Sequence, residues 1–109
     1  MITVEELYDW YQGTLAESGS SVLEEDDVAL GTYIFEDFVI DAHSCLHPDC
    51  LKRLHENGLI SEEKMALSLQ LRTWASEIDA RGERGVEKVR TSAFWRDLMA
   101  LSDRISSMK

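Results

Sequence analysis

The spacing of apolar residues along this chain is that of helices nearly throughout. Val4, Leu7, Tyr8, Tyr11 and Leu15 form one such series, and Phe94, Leu98, Leu101 and Ile105 another. Recurrence every three to four residues is what a helix needs to bury one side. No stretch sustains the period-two alternation of a half-buried strand bounded by hairpin turns, so the expected fold class is all-α. At 109 residues the chain has the size of one domain, 1–109, able to bury a core without a metal or disulfide as staple. A hydrophobic fraction of 44% and a single proline argue against disorder or a linker array.

Thr3 is placed to cap a first helix over about residues 4–17, with Glu5 and Glu6 in its first turn. "ESGSS" then ends it. A second helix is expected to open at "SVLE", where Ser21 and Glu24 have capping-box spacing, and to run to about Ala42. At about 100° per residue, Gly31, Ile34, Phe35, Phe38, Val39 and Ala42 fall on its core side. The opposite side carries Asp26, Tyr33, Glu36, Asp37 and Ile40, with Asp41 at the margin. A short third helix in "HPDCLKRLHEN" stops at Asn57-Gly58. Ser61 caps a fourth, about 62–80, whose main face is Leu67, Leu71, Trp74, Ala75 and Ile78, with Met65 and Leu69 nearly opposite. "ARGERGVEKVRTS" reads as a loop with one helical turn at most. Thr91 or Ser92 starts the last helix, in which Trp95 and Met99 flank the apolar stripe. The sum is a compact bundle of four main helices plus one short helix.

All three histidines and both cysteines lie between His43 and His55. His43, Cys45, His47 and Cys50 are ligand types that zinc prefers, with Asp41, Asp49 and His55 close by. Their spacing is wrong for it. Residues two apart on a helix point about 200° from each other, and no second ligand pair exists elsewhere in the chain. A helix-to-helix corner explains more of the stretch. With His47 as N-cap, Pro48 takes the first helical position, Asp49 the favourable end of the dipole, and Leu46 packs on Leu51 as a hydrophobic staple. Cys50, Leu51 and Leu54 then form a buried face. The two cysteines would close only a very small loop, so reduced thiols are expected.

A cysteine nucleophile would need an orienting carboxylate and an oxyanion loop, and neither is recognisable. "EEDD" lacks the glycine and ligand spacing of a calcium loop, and no glycine-rich phosphate cradle occurs. No enzyme, metal or cofactor is expected.

Charge says more. Formal net charge is -10, and the first fifty residues hold twelve acids and no lysine or arginine. The remaining nine acids share the second half with all eleven bases. This distribution disfavours nucleic acid and anionic membrane, and it steers a basic partner toward the acidic half. "MITVEELYDWYQG" has acids where a secretory signal needs a basic start, and no apolar run approaches spanning length, so a cytoplasmic protein is expected. The expected docking residues are Tyr33 and Ile40 as anchors, with Asp26, Glu36, Asp37 and Asp41 as the charged ring and Trp10 on the first helix.

"EEDDVALGTYIFEDFVID" is similar to an acidic toxin-facing helix, and "NGLISEEKMALSLQLRTWASEID" looks like a helix common in the small acidic helical immunity proteins that bacteria make against their own secreted nuclease toxins. The resemblance is to the colicin-nuclease and contact-dependent growth inhibition types, although the paired tyrosines on a short third helix of colicin immunity proteins are absent. It implies cytoplasmic neutralisation of a cognate basic toxin by binding alone. Two other readings stand beside it. One is a small regulator or adaptor that self-associates or binds a protein through Met65, Leu69, Trp95 and Met99. The other is a zinc-binding protein using residues 43–55.

Overall fold

The computed structural model describes residues 2–108. Helix α1 (Val4–Glu17) opens on Thr3, whose hydroxyl accepts the Glu6 N–H at 3.1 Å while the Glu6 carboxylate accepts the Thr3 N–H at 3.1 Å. A 3-10 turn (Ser20–Glu24) follows, then α2 (Asp27–Gly31), a π segment (Thr32–Phe38) and α3 (Val39–Cys45) as one unbroken helical run. After it come α4 (Pro48–Glu56), α5 (Glu62–Ser76), a short α6 (Val86–Thr91) and α7 (Ala93–Ser107). No strand occurs among the described residues, and the fold is all-α.

The start of the second helix differs from the expected one. Ser21 caps nothing; the carboxylate of Asp26 accepts the Ala29 N–H at 2.8 Å and is the cap. Residues 20–24 form the separate 3-10 turn, held by a carboxylate from the far end of the chain. Asp103 accepts from the Ser20 N–H at 3.1 Å and from its hydroxyl at 2.6 Å. Gly19 permits that approach, since a Cβ there would stand 2.9 Å from the Asp103 carboxylate. From the second half, Arg90 then pins the next residues, bonding Asp27 at 3.0 Å and the carbonyls of Leu23 and Glu25 at 2.9 and 2.6 Å.

The π segment changes which residues face inward. Leu30, Ile34, Phe38 and Ala42 are all 0% exposed, four positions in steps of four. At about 100° per residue, three such steps would carry a side chain about 120° round an α-helix. The wider i→i+5 turns absorb that drift and keep the four on one line. Phe35, Val39 and Gly31, expected on the core face, are only half-buried, and Leu30 takes their place.

Fully buried, Trp95 stands at the centre, its indole N–H donating to the Glu83 carbonyl at 2.8 Å, with Phe35 and Phe94 edge-on at 6.0 and 5.7 Å. Met99 is 2% exposed. These two are core, and the surface patch expected of Met65, Leu69, Trp95 and Met99 is not formed. The cause is the helical phase of α7, which turns Trp95, Leu98, Met99, Leu101, Ser102 and Ile105 all inward.

Helix α5 ends at Ser76 rather than near residue 80, and its buried line starts polar, with Lys64 and Ser68 ahead of Leu71 and Ala75. Ser68 donates to the Lys64 carbonyl at 2.8 Å, so the Tyr11 hydroxyl, 2.7 Å away, is the donor to Ser68. A second thread runs from Ser18 to Ser102 at 2.8 Å and on to the Leu15 carbonyl at 2.7 Å. Both threads tie α1 to its neighbours, and each buried hydroxyl has a partner, without which it would cost about 1–3 kcal/mol.

Candidate functional site

The π segment and α3, both packed on α1, carry the expected acidic and apolar residues of one surface. Trp10 and Glu17 lie seven residues apart on α1, hence on one side of it and about 10 Å apart along its axis. Against α1 pack the π segment, which carries Tyr33, Glu36 and Asp37, and α3, which carries Ile40 and Asp41. Ile40 is 61% exposed, Tyr33 39% and Trp10 36%, among the few large apolar side chains left in solvent. Both expected anchors, and Trp10 with them, are therefore at the surface.

Asp41 and Glu17 meet across the α1–α3 seam. The two carboxyl groups lie close enough to act on each other. Burial of Glu17, then the neighbouring Asp41 carboxylate, then the negative charge of Asp37 push its pKa up to about 8. At pH 7 Glu17 therefore keeps its proton. Glu17, Glu36, Asp37 and Asp41 form no ion pair among the described residues, whereas Asp27, Asp79 and Glu77 are each held by an arginine. Beside Tyr33 a cleft of about 230 Å³ is lined by Ala16, Glu17, Val22 and Glu25.

Asp26 departs from this grouping. Its carboxylate is occupied in capping α2, and fifteen residues of helical rise, about 20 Å, separate it from Asp41. In compensation the structure adds Glu17 and Glu25, which line the cleft beside Tyr33. Glu17 had one visible signal: in a half without a single base, a carboxylate at a helix end had no cation to neutralise it.

The 43–55 stretch does not converge. His47 is the N-cap of α4, its Nδ1 accepting the Asp49 N–H at 3.1 Å. The Asp49 carboxylate lies 3.8 Å from the same nitrogen. Leu46 and Leu51, the staple pair, are both fully buried. His55 Nδ1 lies 2.9 Å from the Ile60 carbonyl. Cys50 directs its thiol to the Ser44 carbonyl at 3.6 Å, and Cys45 is fully buried. Burial pushes the Cys45 thiol up to about 12, against an opposing effect of the neighbouring Thr14 hydroxyl, so it is not a nucleophile at neutral pH. Among the described residues no three His, Cys, Asp or Glu side chains are placed to hold a metal ion. The described helices include none long and apolar enough to cross a membrane.

No family model, curated protein or solved structure matches this chain.

Proposed function

We propose that this chain is an immunity-type inhibitor, a cytoplasmic protein that binds the basic domain of a cognate toxin, a nuclease, and performs no chemistry itself. One observation carries the reading: Glu36, Asp37 and Asp41 form no ion pair among the described residues, and on the same helices or on α1 packed against them Tyr33, Ile40 and Trp10 stand exposed. A nuclease presents lysines and arginines to phosphates. An acidic helical face competes for that surface, excluding the nucleic acid by charge and by bulk. Carboxylates on the rim set the rate of encounter, and the three apolar side chains slow dissociation. The buried threads through Ser68 and Ser102, and the Arg90 clamp on residues 23–27, support this by holding α1 and the 27–45 run as a preformed surface.

The test is capture from a lysate of the source organism at low salt, with elution by rising salt. The eluted protein is then assayed for cleavage of RNA and DNA, with and without the chain. A basic nuclease that elutes at high salt and is silenced stoichiometrically establishes the function and its substrate class. If no basic protein is retained, or if the retained nuclease stays active in the complex, the reading fails.

A further inference from the structure

Away from the acidic face, positive charge borders a cleft between α3, α5 and the turn that follows α5. The cleft holds about 370 Å³, within the range of small-ligand pockets. Its floor is apolar, made by Val39, Ala75 and Ile78, and Arg72, Arg84 and His43 stand around it.

The two arginines are not equivalent. Arg84 is closed on Asp79, with Nε–Oδ1 2.7 Å and Nη2–Oδ2 3.4 Å, and its guanidinium lies over the Phe35 ring at 5.1 Å. Its charge is cancelled within the lining. Arg72 is half-buried and donates through Nε to the His43 carbonyl at 3.2 Å, which fixes the plane of its guanidinium. Its terminal nitrogens have no hydrogen-bond or ion-pair partner among the described residues. A guanidinium offers five donors in a rigid fork matched to a carboxylate, and here most of that fork is unspent beside an apolar floor.

We propose that this cleft binds a small organic monocarboxylate, its carboxylate on the terminal nitrogens of Arg72 and its apolar body against Val39, Ala75 and Ile78. One uncancelled arginine matches one negative charge. A dianion such as phosphate would face the Asp79 carboxylate and the chain's net charge of -10 with nothing further to neutralise it. This site is independent of the acidic face and of the toxin reading.

The experiment is a titration of the whole chain with benzoate, followed by amide proton–nitrogen spectra, with benzamide and matched sodium chloride as controls. Benzoate is expected to move the resonances of residues 39–43 and 72–79 in a saturable way, and benzamide to bind at least about tenfold more weakly. Arg72→Gln should weaken benzoate by about tenfold, the equivalent of one charge-assisted hydrogen bond. Unmoved cleft resonances at tens of millimolar benzoate, equal binding of benzamide, or an unchanged affinity in Arg72→Gln would each overturn the proposal. Benzoate against benzamide on the unaltered chain decides the matter even if the variant fails to fold.

Discussion

The acidic face and the 43–55 corner are opposites in how they relate to the chain. The corner concentrates every histidine and cysteine in thirteen consecutive residues, yet its side chains scatter: one caps a helix, one is core, others meet backbone carbonyls. The acidic face has no motif at all, yet Glu17 and Asp41, twenty-four positions apart, come close enough that Glu17 keeps its proton to about pH 8. A helix fans neighbouring residues round its axis at about 100° each, so density along the sequence works against convergence. Packing of distant elements produces it.

Four tests put that contrast at risk. The largest effect belongs to the corner as structure: Leu51→Ala, at a fully buried position, should cost about 3 kcal/mol in urea unfolding. A loss under about 1 kcal/mol would mean that the corner is not core. Next, Tyr33→Ala or Ile40→Ala should weaken partner binding by about 2 kcal/mol, roughly thirtyfold, against less than about 1 kcal/mol for Glu36→Gln. Equal small losses at all three, measured by calorimetry, would remove the anchors from the proposal.

Glu17→Gln comes third. Between its ordinary value of 4.5 and about 8 the folded chain holds a proton that the unfolded chain releases. That contribution to stability is complete below 4.5 and is lost as pH rises through 8. Removing the ionisable group should flatten this slope and raise stability by about 1 kcal/mol at high pH, solvent screening having reduced the full cost. Parallel melting curves from about pH 4 to 9 for both proteins would contradict the raised pKa of Glu17. Smallest is His47→Asp, which replaces a mediocre cap by a good one and should stabilise by about 0.5 kcal/mol, read from the thermal midpoint. Destabilisation would return a role to the imidazole beyond its Nδ1.

Much of the architecture is legible in the sequence because it depends on local rules. Thr3, His47, Ser61 and Ser92 all cap the helices they are expected to cap. Asp26 and not Ser21 caps the second run because Asp103 and Arg90, from beyond residue 80, claim the segment in between, and no local pattern reports such claims. Burial of Trp95 and Met99 escapes the sequence for a related reason. Helix α7 is flanked by α1, α5 and α6, so more of its circumference is covered than one apolar stripe implies. Exposure of Trp10, Tyr33 and Ile40 follows from helical phase. The Glu17–Asp41 pair does not, since it depends on how two helices cross.

The three tryptophans occupy three environments: Trp95 sealed in the core, Trp74 half-covered, Trp10 open on the acidic face. The molecule thus contains its own fluorescent gauge. Caesium ions should gather at Trp10 and quench it, while iodide, repelled by the same field, reaches it poorly. The ratio of the two measures the local potential of that face without any label, and Trp95, answering to neither, reports whether the fold is intact.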